Sequence, residues 1–416
     1  MIEDDLEGEF ILGWPDRKRL GHMTSPDAEG RIVYARSPIL EQEGLITPID
    51  AFFINAQVQM PEPVHPDDWT LKISGEVDQS ITLTLDDLKK FPARTVRAVT
   101  ECAGNDAAFF DYLENRTNKK PDMQRSNADM SDYVLKGKGS KDEDGDGLIQ
   151  PDSTNAVSGG EWTGTPLSEI LSRVGLKDTA VSVRLVGFDV GTPNVQKLYN
   201  AAQTYDVEVA EPGNIHYDKA LPMEKALHED TIIAWAHNGD ALRHVHGAPA
   251  RCIVPGWSGN WWVKWLERIE VHDHMVPCYH QTEYFVFGKS HDDPDKTMLT
   301  ALGCKSIITW PRDNDSPLKV GEHLIRGLAW SGEGAITRVE ISFDNGQTWE
   351  DAHVEYSPDR WLWKRWSYLW NVEKPGNYSI MARAHDEAGR IQSTTGWNFQ
   401  LKHFDGIVPS DIEVVE

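Results

Sequence analysis

The sequence predicts two units in tandem, a mixed α+β core over residues 51–303 and an all-β sandwich over 304–416, after an arm over 1–50. Three observations predict this. A chain of 416 residues suits two domains at about 100–200 residues each. Between Phe52 and Val271 short β-branched runs alternate with short helical ones. From residue 305 onward the chain becomes a series of short alternating apolar–polar segments about ten residues apart.

The arm is polar, with turn signals at Pro15-Asp16 and Ser25-Pro26. In the core, TLKISGEV (70–77), TVRAVT (95–100), AVSVRLVGF (180–188) and RCIVPG (251–256) read as strands. TLDDLKKF (84–91) reads as a helix, as does PLSEILSRVG (166–175), which begins at Pro and stops at Gly. The alternation is not a regular βαβα repeat, which disfavours a doubly wound parallel sheet. In the tail, Asp344-Asn345-Gly346 between two alternating segments is a hairpin signal, and the pattern fits an immunoglobulin-like sandwich of about 100 residues.

Composition narrows the function classes. An apolar content of 39% with 16 Trp supports well-filled cores. The net charge of −25 has the wrong sign for wrapping nucleic acid or an anionic membrane, and suits an encounter with a basic electron carrier. Cys102, Cys252, Cys278 and Cys304 form no CxxC pair, so neither a zinc ribbon nor a thioredoxin motif is indicated. No segment approaches the ~20 apolar residues of a membrane span. The opening MIEDDLEGEF lacks the basic and apolar regions of an export signal, which leaves a cytoplasmic location or a periplasmic one with the signal removed.

Four constellations carry chemistry. In VRAVTECAGND (96–106) a strand runs into Cys102, and Ala-Gly-Asn follows, small enough for something large to approach the backbone. Metal ligand, covalent nucleophile and buried structural thiol all remain open for that cysteine. The stretch 244–271 gathers two histidines, Arg251, a Gly-containing turn and Lys264, which is what a phosphate-bearing cofactor needs, or else a solvated strand edge. Tyr284 offers a hydroxyl that could donate to a developing negative oxygen, or simply pack. The segment DEDGDGLIQPDS (142–153) resembles a calcium loop, with Asp142, Asp144 and Asp146 at positions 1, 3 and 5 and Gly147 at position 6. Ser153 stands at position 12, where a bidentate Glu belongs, so the segment reads either as a cation site or as a hydrated acidic loop.

Taken in order, FFINAQ (52–57), ECAGN (101–105), EWTGTPLSEIL (161–171), TIIAWAHNGDALR (231–243), HGAPARCIVPGWSGNWWVKWLERIEV (246–271) and GLAWSGEGAITRVEISFDNGQTWEDA (327–352) resemble the sulfite oxidase family of molybdenum enzymes. Within that family the chain looks like the molybdenum subunit of the bacterial sulfane and sulfite dehydrogenases. The resemblance runs from Phe52 to the C-terminus. It implies a molybdopterin-binding core followed by an immunoglobulin-like dimerisation domain. It implies that Cys102 is the protein thiolate on molybdenum, and that His246, Arg251 and Lys264 receive the pterin phosphate beside the backbone of Trp262 and Val263. Asn55, Ala56 and Glu169 fall at cofactor-binding positions, and Tyr284 at the active-site tyrosine.

The departures concern the substrate. Where animal and plant sulfite oxidases carry an arginine and a histidine flanking the asparagine, this chain has Ile54 and Ala56 around Asn55. Where they carry an arginine after the CAGN motif, it has Asp106. A carboxylate in place of an arginine is expected to weaken dianion binding. His65, Lys264, His280, Arg360 and Lys364 are the candidate replacements. An insertion over about 115–158 holds the acidic loop.

The expected activity is oxidation of an inorganic sulfur substrate, sulfite or protein-bound sulfane, by oxo transfer at molybdenum. With no haem-attachment CxxCH in the chain, electrons would leave to a separate carrier such as cytochrome c. The expected assembly is a homodimer or a heteromer with a haem subunit. Two alternatives stand beside this, a molybdenum reductase of a sulfoxide-like oxo substrate and a cofactor-holding subunit active only in a larger complex.

Overall fold

The computed structural model describes residues 21–23, 32–34, 37, 39–42, 44–58, 60–113, 120, 156–193, 212–290, 292–313, 315–392 and 402–416. The acidic triplet Asp142, Asp144 and Asp146 lies outside the described residues. Among the described residues the architecture is mostly β, with helices of only one or two turns.

Two sheets frame the first unit. One places Asp240–Ala241, Ile232–His237, Val157–Pro166 and Arg94–Glu101 side by side, all antiparallel, with Arg251–Ile253 also paired to Ile232–His237. The other runs Ile81–Thr84, Thr70–Gly75, Leu266–His272, Ser182–Gly191, Ile215–Pro222. Only the contact between Thr70–Gly75 and Leu266–His272 is parallel in it. Trp69, Trp162, Trp261 and Trp262 are buried in the shared core. Buried indoles need an acceptor, and Trp69 and Trp261 donate to the carbonyls of Leu266 (2.9 Å) and Leu299 (2.6 Å).

Local chemistry explains the helices. Leu167, Ile170, Leu171 and Val174 recur at helical spacing and bury one face of Leu167–Val174. Pro166 precedes the first turn, and Gly175, at φ 70°, ends the helix in the left-handed region that favours glycine. The segment read as a helix over 84–91 keeps one turn, Leu85–Leu88, closed by a reciprocal Thr84–Asp87 cap. Pro92 follows within a few residues and discourages helix before it.

The second unit is a two-sheet sandwich. A four-stranded sheet orders Lys305–Trp310, Gly321–Trp330, Lys364–Val372 and His353–Val354. The facing sheet orders Leu318–Lys319, Ser410–Val415, Gly376–Asp386, Ile336–Ser342 and Glu350–Asp351. Ile325, Val339, Ile341, Trp366, Ile380 and Ala384 fill the space between. Asn345 and Gly346 take φ values of 58° and 77° in the connection from Ile336–Ser342 to Glu350–Asp351, as the hairpin signal requires.

The two units share a core. Val99 and Val157 of the first pack with Leu328, Trp330, Leu362 and Trp363 of the second. The backbone of Trp361 bridges Ala98 and accepts the Val99 amide at 2.8 Å, so the second unit extends the sheet edge that ends at Cys102. Indoles fasten the seam, Trp361 to Asp230 Oδ2 and Trp363 to the Leu45 carbonyl, each at 2.8 Å. Among the described residues no helix is long and apolar enough to cross a membrane.

Candidate functional site

Strand Arg94–Glu101 delivers Cys102 to a tight turn. The Cys102 amide donates to the Ala156 carbonyl (2.9 Å), and its carbonyl accepts the Asn105 amide (2.9 Å). The thiol is half-buried and unoxidised, and Asn55 Nδ2 lies 3.3 Å from Sγ. The turn is braced from behind. Asn105 Nδ2 donates to Glu101 Oε1 (2.8 Å), Asn105 Oδ1 accepts the Ala156 amide (3.0 Å), and the Trp330 indole donates to Glu101 Oε2 (2.8 Å). Lys305, from the sandwich, reaches both Glu101 and Asp106 with its buried ammonium. Burial works against that charge, but Asp106 and Glu101 overcome it and hold the lysine above its ordinary value.

In front of the thiol lies a solvent-open cleft of about 650 Å³. Asn55, Ala56 and Cys102 line it together with His246, Arg251 and Lys264; Asp189, Tyr217, Asn260 and Trp262 complete its wall. Arg251 donates to the carbonyls of His246 (2.9 Å) and Trp262 (3.1 Å), and its guanidinium carbon sits 4.9 Å from the Trp162 ring centroid. Lys264 Nζ lies 4.0 Å from the Trp265 ring centroid.

The electrostatics of this cleft are unbalanced toward positive. Burial pulls the Arg251 guanidinium down to about 9. Burial, then Arg251, pulls Lys264 down against the opposing pull of Asp189, and burial pushes Asp189 up. Burial, with Arg251 and Lys264 adding to it, keeps His246 well below the usual imidazole value. His246 Nε2, Arg251 Nε and Asn260 Nδ2 are buried without a hydrogen-bond partner. Buried polar groups are normally satisfied, and two cations facing one carboxyl invite an anion. The orphaned donors Arg251 Nε and Asn260 Nδ2 fit a phosphate-bearing group.

The donor set around Cys102 completes that test. Among the described residues no group of three or more His, Cys, Asp or Glu side chains could hold a metal ion. The Cys102 sulfur is a soft donor, a type that suits a metal whose other positions a non-protein group fills.

On another side of the sulfur stands Tyr284, at the end of the π-helical turn His280–Tyr284. It is buried against Ala103, Phe285 and Leu299. Burial, and then the Cys102 charge, raise its hydroxyl above the ordinary phenol value, so it stays protonated as a donor. Lys402 Nζ lies 5.5 Å from the Tyr284 ring centroid.

Three sequence expectations resolve differently. Glu169 is exposed on the face of Leu167–Val174 opposite the core and lies outside the cleft wall, because helical spacing turns position 169 away from Leu167, Ile170 and Leu171. The Val263 and Trp262 amides already donate to Trp261 and Gly259, and the Trp262 carbonyl accepts from Arg251 in the cleft wall. The carboxylate of Asp106, expected to repel an anionic substrate, is paired with the Lys305 ammonium, which it shares with Glu101. Of the candidate replacement cations, Lys264 lines the cleft. His65 is exposed beside Asp67, Arg360 stacks on Trp361, and burial drives His280 down to about 3. Sequence reasoning missed Asp189, Tyr217, Asn260, Lys305 and Lys402; of these only Asn260 lies within a quoted motif, the stretch 246–271.

Fold and cleft together define a two-domain protein in which a half-buried Cys102 thiol stands at the wall of a cleft lined by Arg251 and Lys264. The sequence matches the family profile described as oxidoreductase molybdopterin binding domain over residues 57–280, and the one described as Mo-co oxidoreductase dimerisation domain over 296–401. The chain belongs to this molybdopterin-binding oxidoreductase family. It is 28% identical to mitochondrial sulfite oxidase of Rattus norvegicus over 383 residues, covering 87% of this chain and 60% of the relative. It is also 28% identical to nitrate reductase [NADH] 2 of Phaseolus vulgaris over 388 residues, covering 86% and 38%. The chain thus spans about 60% of the length of the sulfite oxidase it matches. Among solved structures it is similar to the sulfane dehydrogenase SoxCD from Paracoccus pantotrophus, with a TM-score of 0.72 and 26% identity over 100% of this chain and 92% of that one.

Proposed function

We propose that this protein oxidises an inorganic sulfur compound, sulfite or protein-bound sulfane, and passes the electrons to a separate acceptor. The observation that supports the reading is the pairing of an accessible Cys102 thiol with a cleft lined by Arg251 and Lys264, in which Arg251 Nε and Asn260 Nδ2 are buried without an acceptor. The molybdenum cofactor implied by the family would supply two-electron oxo transfer. In this reading the chain's own residues bind and orient. Cys102 ligates the metal, and Asn55 points an amide at its sulfur. His246, Arg251 and Lys264 take the cofactor's phosphate, with Ala56 and Trp262 lining the same wall. Tyr284 donates a hydrogen bond toward the reacting oxygen from a pocket that keeps its proton in place.

Electron transfer and assembly follow from the same reading. The charge of −25 suits a basic cytochrome c as acceptor. A dimer through the second unit, or a heteromer with a haem subunit, is the proposed assembly; the dimerisation profile and the likeness to SoxCD support it. A cation in the acidic segment 142–153 is proposed on the Asp142, Asp144 and Asp146 spacing alone.

The test is purification with metal analysis, followed by assay of sulfite, thiosulfate-derived sulfane and sulfoxides with oxidised and reduced dyes. Wild type is expected to carry stoichiometric molybdenum and reduce an oxidised dye with a sulfur donor, and Cys102→Ser to lose turnover. Full turnover and an unaltered molybdenum signal in Cys102→Ser would end the assignment. The reverse direction is favoured by the likeness to a nitrate reductase, and turnover only with reduced dye and an oxo acceptor would establish it.

A further inference from the structure

Lysine is almost never fully buried unless it is paired. Lys219, on strand Ile215–Pro222, has no exposed surface. Side chains alternate along a strand, so the neighbouring Asp218 faces the other way, where Arg184 holds it at 2.6 Å. Lys219 Nζ stands instead among three rings, 4.9 Å from the centroid of Trp261, 4.8 Å from that of Phe285 and 5.9 Å from that of Tyr217. From this cage it donates to the His280 carbonyl at 3.1 Å.

That carbonyl opens the π-helical turn His280–Tyr284, and it also accepts the Phe285 amide at 3.1 Å, the bond that closes the turn. Such turns are rare and concentrate at functional sites. The next residue of the strand repeats the grip, the Ala220 amide donating to Gln281 Oε1 at 2.9 Å. Beyond Tyr284, the Leu299 amide donates to the Phe285 carbonyl at 3.0 Å, and Val286–Phe287 pairs with Thr297–Met298. Tyr284 is therefore clamped from both ends, with Lys219 and Ala220 gripping the turn that leads to it. The same strand carries Tyr217, whose hydroxyl donates to the Asn260 carbonyl at 2.5 Å in the wall of the cleft. One strand ties the cleft wall to the tyrosine.

The cage around Nζ is neutral near pH 7. Burial pushes the Cys278 thiol up to about 12 and drives the His280 imidazole down to about 3. Burial also pulls Lys219 down to about 7; as ammonium or as amine it keeps an N–H for the carbonyl. A methionine would fill the cage without burying a polar group, so packing alone gives no reason for a lysine here.

We propose that Lys219 is a positioning residue for Tyr284, fixing the phenol beside Cys102 through the carbonyl of His280. The inference rests on the reading of Tyr284 as the hydrogen-bond donor of the oxo-transfer site and names the residue that aims it.

Two measurements on the molybdenum-loaded protein test it. Lys219→Met is expected to speed hydrogen exchange of the amides over 280–285 by about 3–10-fold, the value of one hydrogen bond, with molybdenum content unchanged. In stopped-flow reduction by substrate, the same variant should lower the limiting rate about 10-fold and leave substrate affinity unaltered. In a Tyr284→Phe background it should cost nothing more, because a residue acting only through the tyrosine hydroxyl loses its effect with that hydroxyl. Lys219→Leu serves the same comparisons should the methionine variant not fold. Unaltered exchange over the turn, or rate losses that simply add in the double variant, would each overturn the proposal. The exchange arm needs no turnover. A turn loosened by Lys219→Met, in a protein whose rate Tyr284→Phe leaves untouched, keeps the hold on the turn and ends the donor reading of the tyrosine.

Discussion

Lys305 of the sandwich and Asp106 of the turn after Cys102 form a buried ion pair, side chains 3% and 4% exposed, across about two hundred residues of sequence. Glu101 shares the same ammonium at 2.8 Å. The strand that presents the thiol is thus held electrostatically by the second unit.

Removing that ammonium leaves two carboxylates buried without compensation. Lys305→Met is expected to cost about 3–5 kcal/mol of stability, read by denaturant unfolding. Adding Asp106→Asn to it should recover part of the loss, and a purely additive double variant would show that the pair is not coupled.

Stability should fall on mild acidification. Burial drives the imidazoles of His244 and His403 down to about 4, and that of His280 to about 3. The unfolded chain takes up these protons near its ordinary value of about 6.5, while the folded chain cannot. Their contribution is therefore present above pH ~6.5 and is lost as pH falls toward 4, by up to ~1.4 kcal/mol per pH unit per histidine. Urea titrations at pH 7.5, 6.5, 5.5 and 4.5 check the slope, which His280→Gln should reduce.

Arg251→Gln removes a cation from the cleft while keeping a polar side chain. Cofactor retention is expected to drop by about 10–100-fold in affinity, seen as lower molybdenum and pterin content after dialysis. Glu169→Gln, on the exposed helix face, should leave that content unchanged.

Tyr284→Phe deletes a donor without altering packing against Phe285 and Leu299. Turnover is expected to fall about 100-fold with molybdenum content unchanged, as when a single oxyanion donor is removed elsewhere. Stopped-flow reduction of the centre by substrate measures it.

That His246, Arg251 and Lys264 line one cleft was readable because they fall within about twenty residues, so one Gly-containing turn and one short strand gather them. Cys102 stood out because small residues follow a β-branched strand. Lys305 and Lys402 left no such trace. Each sits in a stretch that reads as ordinary sandwich, and only the packing of the second unit against Val99 and Trp330 carries them to the turn. Glu169 failed for the opposite reason, a local resemblance that helical geometry turns toward water. The helical reading of 84–91 outran the structure because periodicity says little about where a one-turn helix stops.

The Trp361 backbone, hydrogen-bonded along Ala98 and Val99, makes the sandwich a splint for the very strand it borders. A nick or truncation in the connection ahead of Lys305 would therefore not release an independent catalytic fragment. It would strip a layer of tryptophans from the back of the sulfur-bearing turn, and the damage would be felt first at Cys102 and the cleft in front of it.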